Sequence, residues 1–353
     1  MDEVPGPSAR LPLLVVLTLL AGLGGLVSWQ WYALEARDRQ VQEQSFELAV
    51  DDITQRIKDR MGAYEMALRG MSGVFASSQQ VSPEEWQRAV AQLQLQARYP
   101  GVLALGWGRY LAGPQAVTGM FPAGVRQDYL VVTYIAPPED ANLRVLGFDL
   151  LSESRRRQAF ERASLSGVAA LSQPVQLKQA GTHEPLLGVL LFVPVYRPQP
   201  AGTRASASST ELLGAVYGAF RVPELLSGLL GSRGALFDLA LSDEGQPLDL
   251  RRESRRVPRL QVQRELELFG RRWQLTVSST PQYEQGLDNR SLSFSLWVGL
   301  LAAALLALLV GGYLYLRERA LVSQEQLDEG LREREERFRL VVEASPNAIV
   351  LVD

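Results

Sequence analysis

The stretch LSFSLWVGLLAAALLALLVGGYLYL, residues 292–316, decides the fold of this chain because it contains no charged residue. At about 1.5 Å per residue, a helix of this length crosses the roughly 30 Å hydrocarbon core of a bilayer. A second uncharged run, LPLLVVLTLLAGLGGLVSWQWY at residues 11–32, ends on Trp29, Trp31 and Tyr32. Tryptophan and tyrosine favour the membrane interface. The pattern predicts two transmembrane helices.

Two other interpretations exist, namely a cleaved signal peptide at residues 11–32 and a buried core helix at residues 292–316. A signal peptide begins with positive charge and has a shorter apolar region. This chain instead begins with Asp2 and Glu3 and carries only Arg10 before the apolar run. We therefore predict an N-terminal cytoplasmic tail at residues 1–10 and an uncleaved first span.

Two spans place both termini on one side of the membrane and residues 35–290 on the other. Arg317 and Arg319 favour a cytoplasmic C-terminus, whereas Arg37 and Arg39 pull the opposite way. A loop as long as residues 35–290 largely escapes the positive-inside rule. Charge alone therefore does not decide the orientation.

A long stalk helix is predicted over residues 35–81, which are rich in helix formers. Its apolar residues recur three and four positions apart, and they are Phe46, Leu48, Ile53, Ile57, Met61, Tyr64 and Leu68. A second helix begins after Ser82, a good N-cap that precedes Pro83 and two acidic residues. Its predicted buried face comprises Trp86, Val90, Leu93 and Ala97.

Strands are predicted where β-branched and aromatic runs are interrupted by glycine and proline. These runs cover residues 101–111, 128–137, 185–198 and 211–222, followed by a helix at 223–231, a strand-turn-strand at 235–250 and a hairpin around Phe269-Gly270. The predicted fold class is α+β. The stalk helix carries two antiparallel-sheet modules, a distal one at residues 82–222 and a proximal one at 223–282, between the two transmembrane helices.

Composition and motifs exclude several classes of function. The chain has no cysteine, one histidine and a net charge of −3, which argues against thiolate chemistry, cysteine or histidine-cluster metal sites and a global field for nucleic acid. No nucleophile elbow, P-loop or zinc spacing occurs. His183 is interpreted as a loop residue, residues 198–210 as an exposed loop, and the basic residues 250–259 as a solvated segment. We predict no catalytic residue, metal or cofactor.

Residues 147–177 join three arginines to an amphipathic helix and a strand. Ser152 is the predicted N-cap, and the predicted apolar face comprises Ala159, Phe160, Ala163 and Leu165. Arg155, Arg156 and Arg157 occupy the first turn, where the helix dipole disfavours positive charge. Exposed arginines cost little in water, so they are interpreted as solvated, with an anionic ligand or acidic partner as the alternative.

These segments resemble the CHASE sensory domain of bacterial histidine kinases and cyclases and of plant cytokinin receptors. The similar segments, in the order of the family, are residues 99–107, 129–137, 147–149, 171–177, 188–196 and 212–226. The resemblance implies a stalk helix with two PAS-like modules, of which the distal one holds the ligand pocket. The residues it implies for that pocket are Tyr129, Val131, Tyr134, Arg156, Ser172, Leu177, Val189 and Leu191.

The resemblance also indicates how this pocket differs from that of the plant receptors. Near Arg156 those receptors carry an acidic residue that binds a purine, so the arginine argues against cytokinin. An arginine suits a carboxylate or phosphate through charge-assisted hydrogen bonds. The expected ligand is an unknown small molecule, with an anion as a hypothesis.

The C-terminal residues resemble the elements that follow a membrane span in such receptors. Residues 317–337 predict a charged signalling helix with partial heptad spacing, and residues 338–353 resemble the start of a PAS domain. A PAS domain is cytoplasmic in these proteins, which implies a periplasmic location for residues 33–291. The output domain expected beyond Asp353 is a histidine kinase, or alternatively a diguanylate cyclase or phosphodiesterase, and ATP or GTP would belong to that domain.

The predicted function is a multi-pass receptor of the bacterial inner membrane that transmits an extracytoplasmic signal. Its expected partners are the ligand, membrane lipid, a second copy of the chain and, for a kinase, a cytoplasmic response regulator, but no nucleic acid. One rival is a periplasmic enzyme, for which the sequence lacks a catalytic constellation. The other rival is a ligand-free tethered scaffold, which predicts a filled core in the distal module.

Overall fold

The computed structural model describes residues 10–114, 119–178, 187–197, 211–248, 256–287 and 290–344. The chain divides into two compact units: a helical unit, formed by Met1–Gln42 with Asp288–Asp353, and an α+β unit, Glu43–Leu287. His183, the predicted loop at 198–210 and much of the basic segment 250–259 lie outside the described residues.

The helices are α1 (Arg10–Ser77), α2 (Pro83–Leu93), α3 (Leu95–Arg98), α4 (Asp140–Leu143), α5 (Ser154–Ser166), α6 (Val222–Leu230), α7 (Pro281–Leu287) and α8 (Arg290–Ala344). The strands are β1 (Val102–Ala112), β2 (Asp128–Ala136), β3 (Ala170–Leu171), β4 (Val175–Gln176), β5 (Leu187–Tyr196), β6 (Leu212–Phe220), β7 (Phe237–Asp243), β8 (Gln246–Pro247), β9 (Gln261–Leu268) and β10 (Arg271–Ser279). This mixture of helices and sheet agrees with the predicted α+β class.

In the helical unit, α8 faces α1 with a stripe of small residues spaced four apart. The stripe consists of Gly299, Ala303, Ala307 and Gly311, and both alanines are buried. A Cβ atom added to Gly311 would lie against Val16, and one added to Gly299 would lie against Val27. Small residues at this spacing let two helices approach closely in lipid. Both helices are also long and apolar enough to cross a membrane.

This helix pairing predicts a specific cross-link. The Cβ of Val16 lies 3.7 Å from an ideal Cβ on Gly311, and a disulfide needs about 3.5–4.5 Å between Cβ atoms. The chain has no cysteine of its own. We therefore expect Val16→Cys/Gly311→Cys to lose both maleimide-reactive thiols on mild oxidation. The control pair is Leu17→Cys/Gly312→Cys, because Leu17 is exposed and Gly312 has open space around it; equal loss of thiols in the control pair would contradict the helix register.

In the α+β unit, two antiparallel sheets lie on the stalk part of α1. The first has six strands in the order β2-β1-β6-β5-β3, with β4 also paired to β5, and the second has four in the order β8-β7-β10-β9. In the predicted hairpin, Phe269 and Gly270 turn with φ of 47° and 79°, as a two-residue turn with positive φ at both positions requires. Trp273, Leu275 and Val277 of β10 pack in one core cluster with the stalk helix.

The six-stranded sheet is buried on both faces. One face packs on the stalk through residues such as Leu105, Val189 and Leu191. The other face packs on α5 through Leu190, Phe192 and other residues. Because side chains alternate along a strand, neighbouring residues of β5 belong to opposite faces.

Details predicted for three helices are wrong. Leu48 is 70% exposed, because it lies off the face that Phe46, Val50 and Ile53 bury. Ala97 is exposed since α2 ends at Leu93, where Gln94 takes a left-handed conformation with φ of 52°.

The third detail concerns α5. Its N-cap is Glu153, whose carboxylate accepts from the backbone N–H groups of Arg155 and Arg156. Ser152 ends a preceding 3₁₀ turn instead, and its hydroxyl donates to the carbonyl of Asp149. Leu165 is 88% exposed, although Ala159, Phe160 and Ala163 are buried as predicted. Leu165 comes two residues after Ala163, and a step of two on a helix points to a different face.

The carboxylate of Glu284 fastens α7 to the proximal sheet. It accepts hydrogen bonds from the Ser279 hydroxyl (2.6 Å) and the Arg259 backbone N–H (2.9 Å), and it pairs with Arg256. The Ser279 and Arg259 hydrogen bonds, with the Arg256 charge, lower the pKa of Glu284 below its ordinary value.

A lowered pKa in the folded state means that the stabilisation is present above the ordinary pKa of 4.5 and is lost as the pH falls through the folded value. We expect Glu284→Gln to melt below the natural protein at pH 7 and the two melting temperatures to converge below pH 4.5. Thermal unfolding at both pH values measures this, with Glu267→Gln, an exposed carboxylate of β9, as control. A difference in melting temperature that stays constant with pH would contradict it.

Candidate functional site

A small cavity lies on the face of the six-stranded sheet that packs on α5, opposite the face that packs on the stalk. We call it the distal cavity. It is lined by Val145, Phe148, Leu150, Arg156, Leu177, Lys178, Leu190 and Tyr217. Its volume is about 20 Å³, which is room for about one water molecule. The lining combines apolar walls with three polar side chains, the composition of a small-molecule site, but the volume is small.

Arg156 brings a positive charge into this cavity. Its side chain is only 3% exposed, and its Nη2 donates to the backbone carbonyl of Gln176 at 2.7 Å. The guanidinium carbon lies 5.2 Å from the centre of the Phe148 ring, close enough for a cation–π interaction. Glu153 Oε2 is 4.0 Å from Nη1, at the limit of an ion pair. Burial lowers the pKa of Arg156, yet arginine stays charged in proteins.

One polar group of the cavity, Nε of Arg156, is buried without a hydrogen-bond partner among the described residues. Tyr217 lines the same cavity. Burial raises the pKa of Tyr217, with the Arg156 charge opposing the shift, so the phenol stays protonated at neutral pH. Buried polar groups normally have partners, so the unpartnered Nε indicates a missing acceptor.

Beside the cavity, Asp149 organises the segment that supplies its wall. This carboxylate is fully buried, and Oδ1 accepts from the backbone N–H groups of Leu130 and Leu151, both at 3.0 Å. Oδ2 lies 3.3 Å from Nη1 of Arg126. Asp149 therefore ties β2 to the turn that precedes α5, and it positions Phe148 and Leu150 in the cavity wall.

The eight residues predicted for the pocket do not form one pocket. Arg156 and Leu177 line the cavity. Val189 and Leu191 face the stalk helix, and Tyr134 also lies on the stalk side, where its ring stacks on Phe75 and its hydroxyl donates to the carbonyl of Val81.

The remaining three predicted residues have other surroundings. Tyr129 is buried, and its hydroxyl accepts from the Arg126 N–H and donates to the Gly124 carbonyl. Val131 is half-buried and forms an isolated bridge with Asp149. The Ser172 hydroxyl accepts from the Leu190 N–H, a structural bond that fixes the segment between β3 and β4.

Six residues of the cavity were not predicted: Val145, Phe148, Leu150, Lys178, Leu190 and Tyr217. Phe148 lies in the segment 147–149 that resembles the CHASE family and Leu150 follows it, so a closer reading of that segment could have found both. Tyr217 lies in a strand that is buried on both faces. Its sequence neighbours are all small or apolar, which gives no signal for a polar cavity.

Comparisons with known proteins bear on this site. Residues 79–250 match the CHASE domain family model, and no curated protein matches the chain. The chain is similar to the ligand-binding domain of the Pseudomonas aeruginosa amino acid chemoreceptor PctC in complex with GABA, with 14% identity, a TM-score of 0.40 and coverage of 67% of this chain and 99% of that one.

It is also similar to the periplasmic sensory domain of the Campylobacter jejuni chemoreceptor Tlp1, with 10% identity, a TM-score of 0.47 and coverage of 70% and 97%. Both TM-scores are too low to support an argument about the site. The family match, in contrast, covers the whole six-stranded sheet and every residue of the cavity. The match of residues 79–250 to the CHASE domain family model confirms the resemblance that the sequence analysis describes.

Proposed function

We propose that the chain is a membrane-bound receptor that senses an extracytoplasmic small molecule in the distal cavity. The observation that carries this proposal is the buried guanidinium of Arg156, which faces a cavity with an unpartnered Nε. A buried cation with incomplete pairing destabilises a protein unless something offsets it. The hydrogen bond of Nη2 to Gln176 leaves Nε unsatisfied, and an acceptor on a bound ligand would satisfy it.

The proposal has several finer parts. The inner membrane, two spans, a periplasmic position of the CHASE domain, a homodimer and a cytoplasmic output domain are all proposed. A histidine kinase acting on a response regulator is the first candidate output and a cyclase or phosphodiesterase the second. No catalytic residue is proposed within this chain.

The topology can be tested by labelling with a membrane-impermeant maleimide, because the chain has no cysteine. Leu165→Cys places a thiol at an 88% exposed position of the α+β unit, and Glu329→Cys places one at an exposed position of α8. We expect spheroplasts to label the first variant directly and the second only after permeabilisation. The reverse pattern would put the CHASE domain in the cytosol and end the receptor proposal.

One observation favours the rival scaffold. The cavity holds only about one water molecule, which is close to the filled core that a ligand-free scaffold predicts. The two candidates differ in a thermal-shift screen of the full chain in detergent against amino acids, organic acids and nucleobases. A receptor gains melting temperature with at least one class, as binding to the folded state requires. A scaffold shows no gain with any class.

A further inference from the structure

We infer that the distal cavity binds the anionic group of a small monoanionic ligand, held by the guanidinium of Arg156 and the hydroxyl of Tyr217. This inference rests on the proposed function and names the ligand class of that same site. Both groups line the cavity, and Nε of Arg156 is a buried donor without a partner among the described residues. A ligand that satisfies this donor must present an acceptor.

The charges around the cavity favour an anion over a neutral acceptor. Its described lining carries two cations, Arg156 and Lys178, and no carboxylate. The Lys178 ammonium lies 6.0 Å from the centre of the Phe148 ring, on the same ring as the guanidinium. The carboxylate of Glu153, 4.0 Å from Nη1 of Arg156, already accepts the N–H groups that cap α5. An anion would therefore offset a buried positive charge, which a neutral ligand cannot do.

The walls limit what else the ligand carries. Five of the eight lining residues are apolar: Val145, Phe148, Leu150, Leu177 and Leu190. A second charge on the ligand would have to be buried against them without a partner, which disfavours binding. The class that fits is a single carboxylate, or a comparable anion, on an apolar or aromatic body.

The cavity is too small for a ligand in its present form, so binding requires a change in the site. An anion that takes two N–H groups of one guanidinium has geometry similar to an arginine–carboxylate pair. Nε is available, and Nη2 has a second N–H group besides the one bonded to the carbonyl of Gln176. The cavity has a volume of only about 20 Å³, so a ligand larger than one water molecule must widen it. The work of widening lowers the apparent affinity, so we expect weak binding for minimal probes.

The test compares carboxylates with their neutral isosteres: benzoate with benzamide, and butyrate with butyramide, in millimolar titrations followed by calorimetry and thermal shift. Inorganic phosphate and sulfate extend the anion class. The full chain in detergent is used. We expect benzoate or butyrate to bind and to raise the melting temperature, and the amides to do neither.

Variants of Arg156 and Tyr217 test which side chains bind the carboxylate. Arg156→Met should weaken carboxylate binding by roughly 10- to 100-fold, the range for hydrogen bonds to a charged group, and Tyr217→Phe by about 3- to 10-fold. Arg156→Lys keeps the charge and should recover part of the loss. Arg157→Met is the matched control, because that neighbouring side chain pairs with Asp128 at 2.6 Å and lies outside the cavity lining. Melting curves of the free variants show whether each one folds.

The outcomes separate this inference from the proposed function. Equal binding of amides and carboxylates, or carboxylate binding that survives Arg156→Met in a folded variant, would overturn the anion and leave the sensor standing. The absence of an Arg156-dependent effect from every anion would overturn it as well. Failure of the receptor itself is a different result, in which neutral compounds of the wider screen also leave the chain unchanged.

Discussion

Asp149→Ala should lower the free energy of unfolding by about 3–5 kcal/mol, the cost of breaking a buried ion pair by removing one partner. The carboxylate is fully buried and accepts from the N–H groups of Leu130 and Leu151. Its removal leaves two buried donors without an acceptor, each costing about 1–3 kcal/mol, and it leaves the Arg126 charge without its partner. Urea unfolding of the full chain in detergent, followed by tryptophan fluorescence, measures the loss.

Two further variants define the cause of this loss. Asp149→Asn keeps an oxygen that can accept from both N–H groups and removes only the charge facing Arg126, so it should cost much less than alanine. Asp238→Ala removes an exposed carboxylate of β7 and should change stability by less than about 0.5 kcal/mol. Equal losses for Asp149→Ala and Asp149→Asn would mean that the ion pair, and not the backbone hydrogen bonds, carries the effect.

Local sequence patterns predicted the strands and helices, but they did not predict which residues of each strand point to which face of the sheet. In β5 every residue from Gly188 to Val195 is buried, so the pattern lacks the polar alternation that tells one face from the other. The sequence therefore assigned Val189 and Leu191 to the pocket, and the structure places Leu190 there. The packing of α5 on one face of the sheet and of the stalk on the other determines which residues of β5 line the cavity.

A register shift between β1 and β2 explains why Tyr134, another residue predicted for the pocket, lies on the stalk side of the sheet. The register of β1 and β2 shifts between Trp107 and Gly108, which pair with Tyr134 and Val132. Thr133 is the extra residue, as in a β-bulge, and a bulge changes the face of every residue beyond it. Val132 consequently packs on the distal side and Tyr134 on the stalk side. Alternation counted along the sequence cannot detect this shift.

Arg156 lines the cavity, but its surroundings differ from those that the sequence predicts. Helix propensity and the dipole argument favour solvated arginines in the first turn of α5, whereas the structure buries Arg156. The reason is the segment of residues 171–176, which runs beside α5 and offers backbone carbonyls. Those carbonyls belong to residues far enough along the chain that no local pattern indicates the contact.

Three arginines of α5 hold that segment by its carbonyls. Arg155 donates to Pro174, Arg156 to Gln176 and Arg162 to Leu171. The N–H of Leu171 in turn donates to the carbonyl of Phe269 at 3.0 Å, in the turn of the proximal hairpin. The segment that contacts Arg156 in the cavity therefore also contacts the proximal sheet through one connected group of hydrogen bonds.

The residue after that turn, Arg271, carries the second prediction with a large effect. Arg271 and Asp243 form a buried ion pair, with exposures of 6% and 0% and an Nη2 to Oδ1 distance of 2.8 Å. Nε donates to both carboxylate oxygens at 3.1 Å. We expect Asp243→Ala to destabilise the protein by about 3–5 kcal/mol, since the guanidinium would remain buried with only Glu244, at 3.1 Å, to face it.

Removal of both partners should be far less harmful than removal of one. Burial raises the pKa of Asp243 although Arg271 opposes the shift, which means that the charged carboxylate is less favourable in the folded state than in the unfolded chain. A buried pair of this kind can be replaced by apolar residues at little cost. Asp243→Leu/Arg271→Met should therefore unfold near the natural protein in urea, and the double-mutant cycle should show strong coupling. Additive losses from the two single variants would contradict a buried pair, because two independent surface charges would give that result.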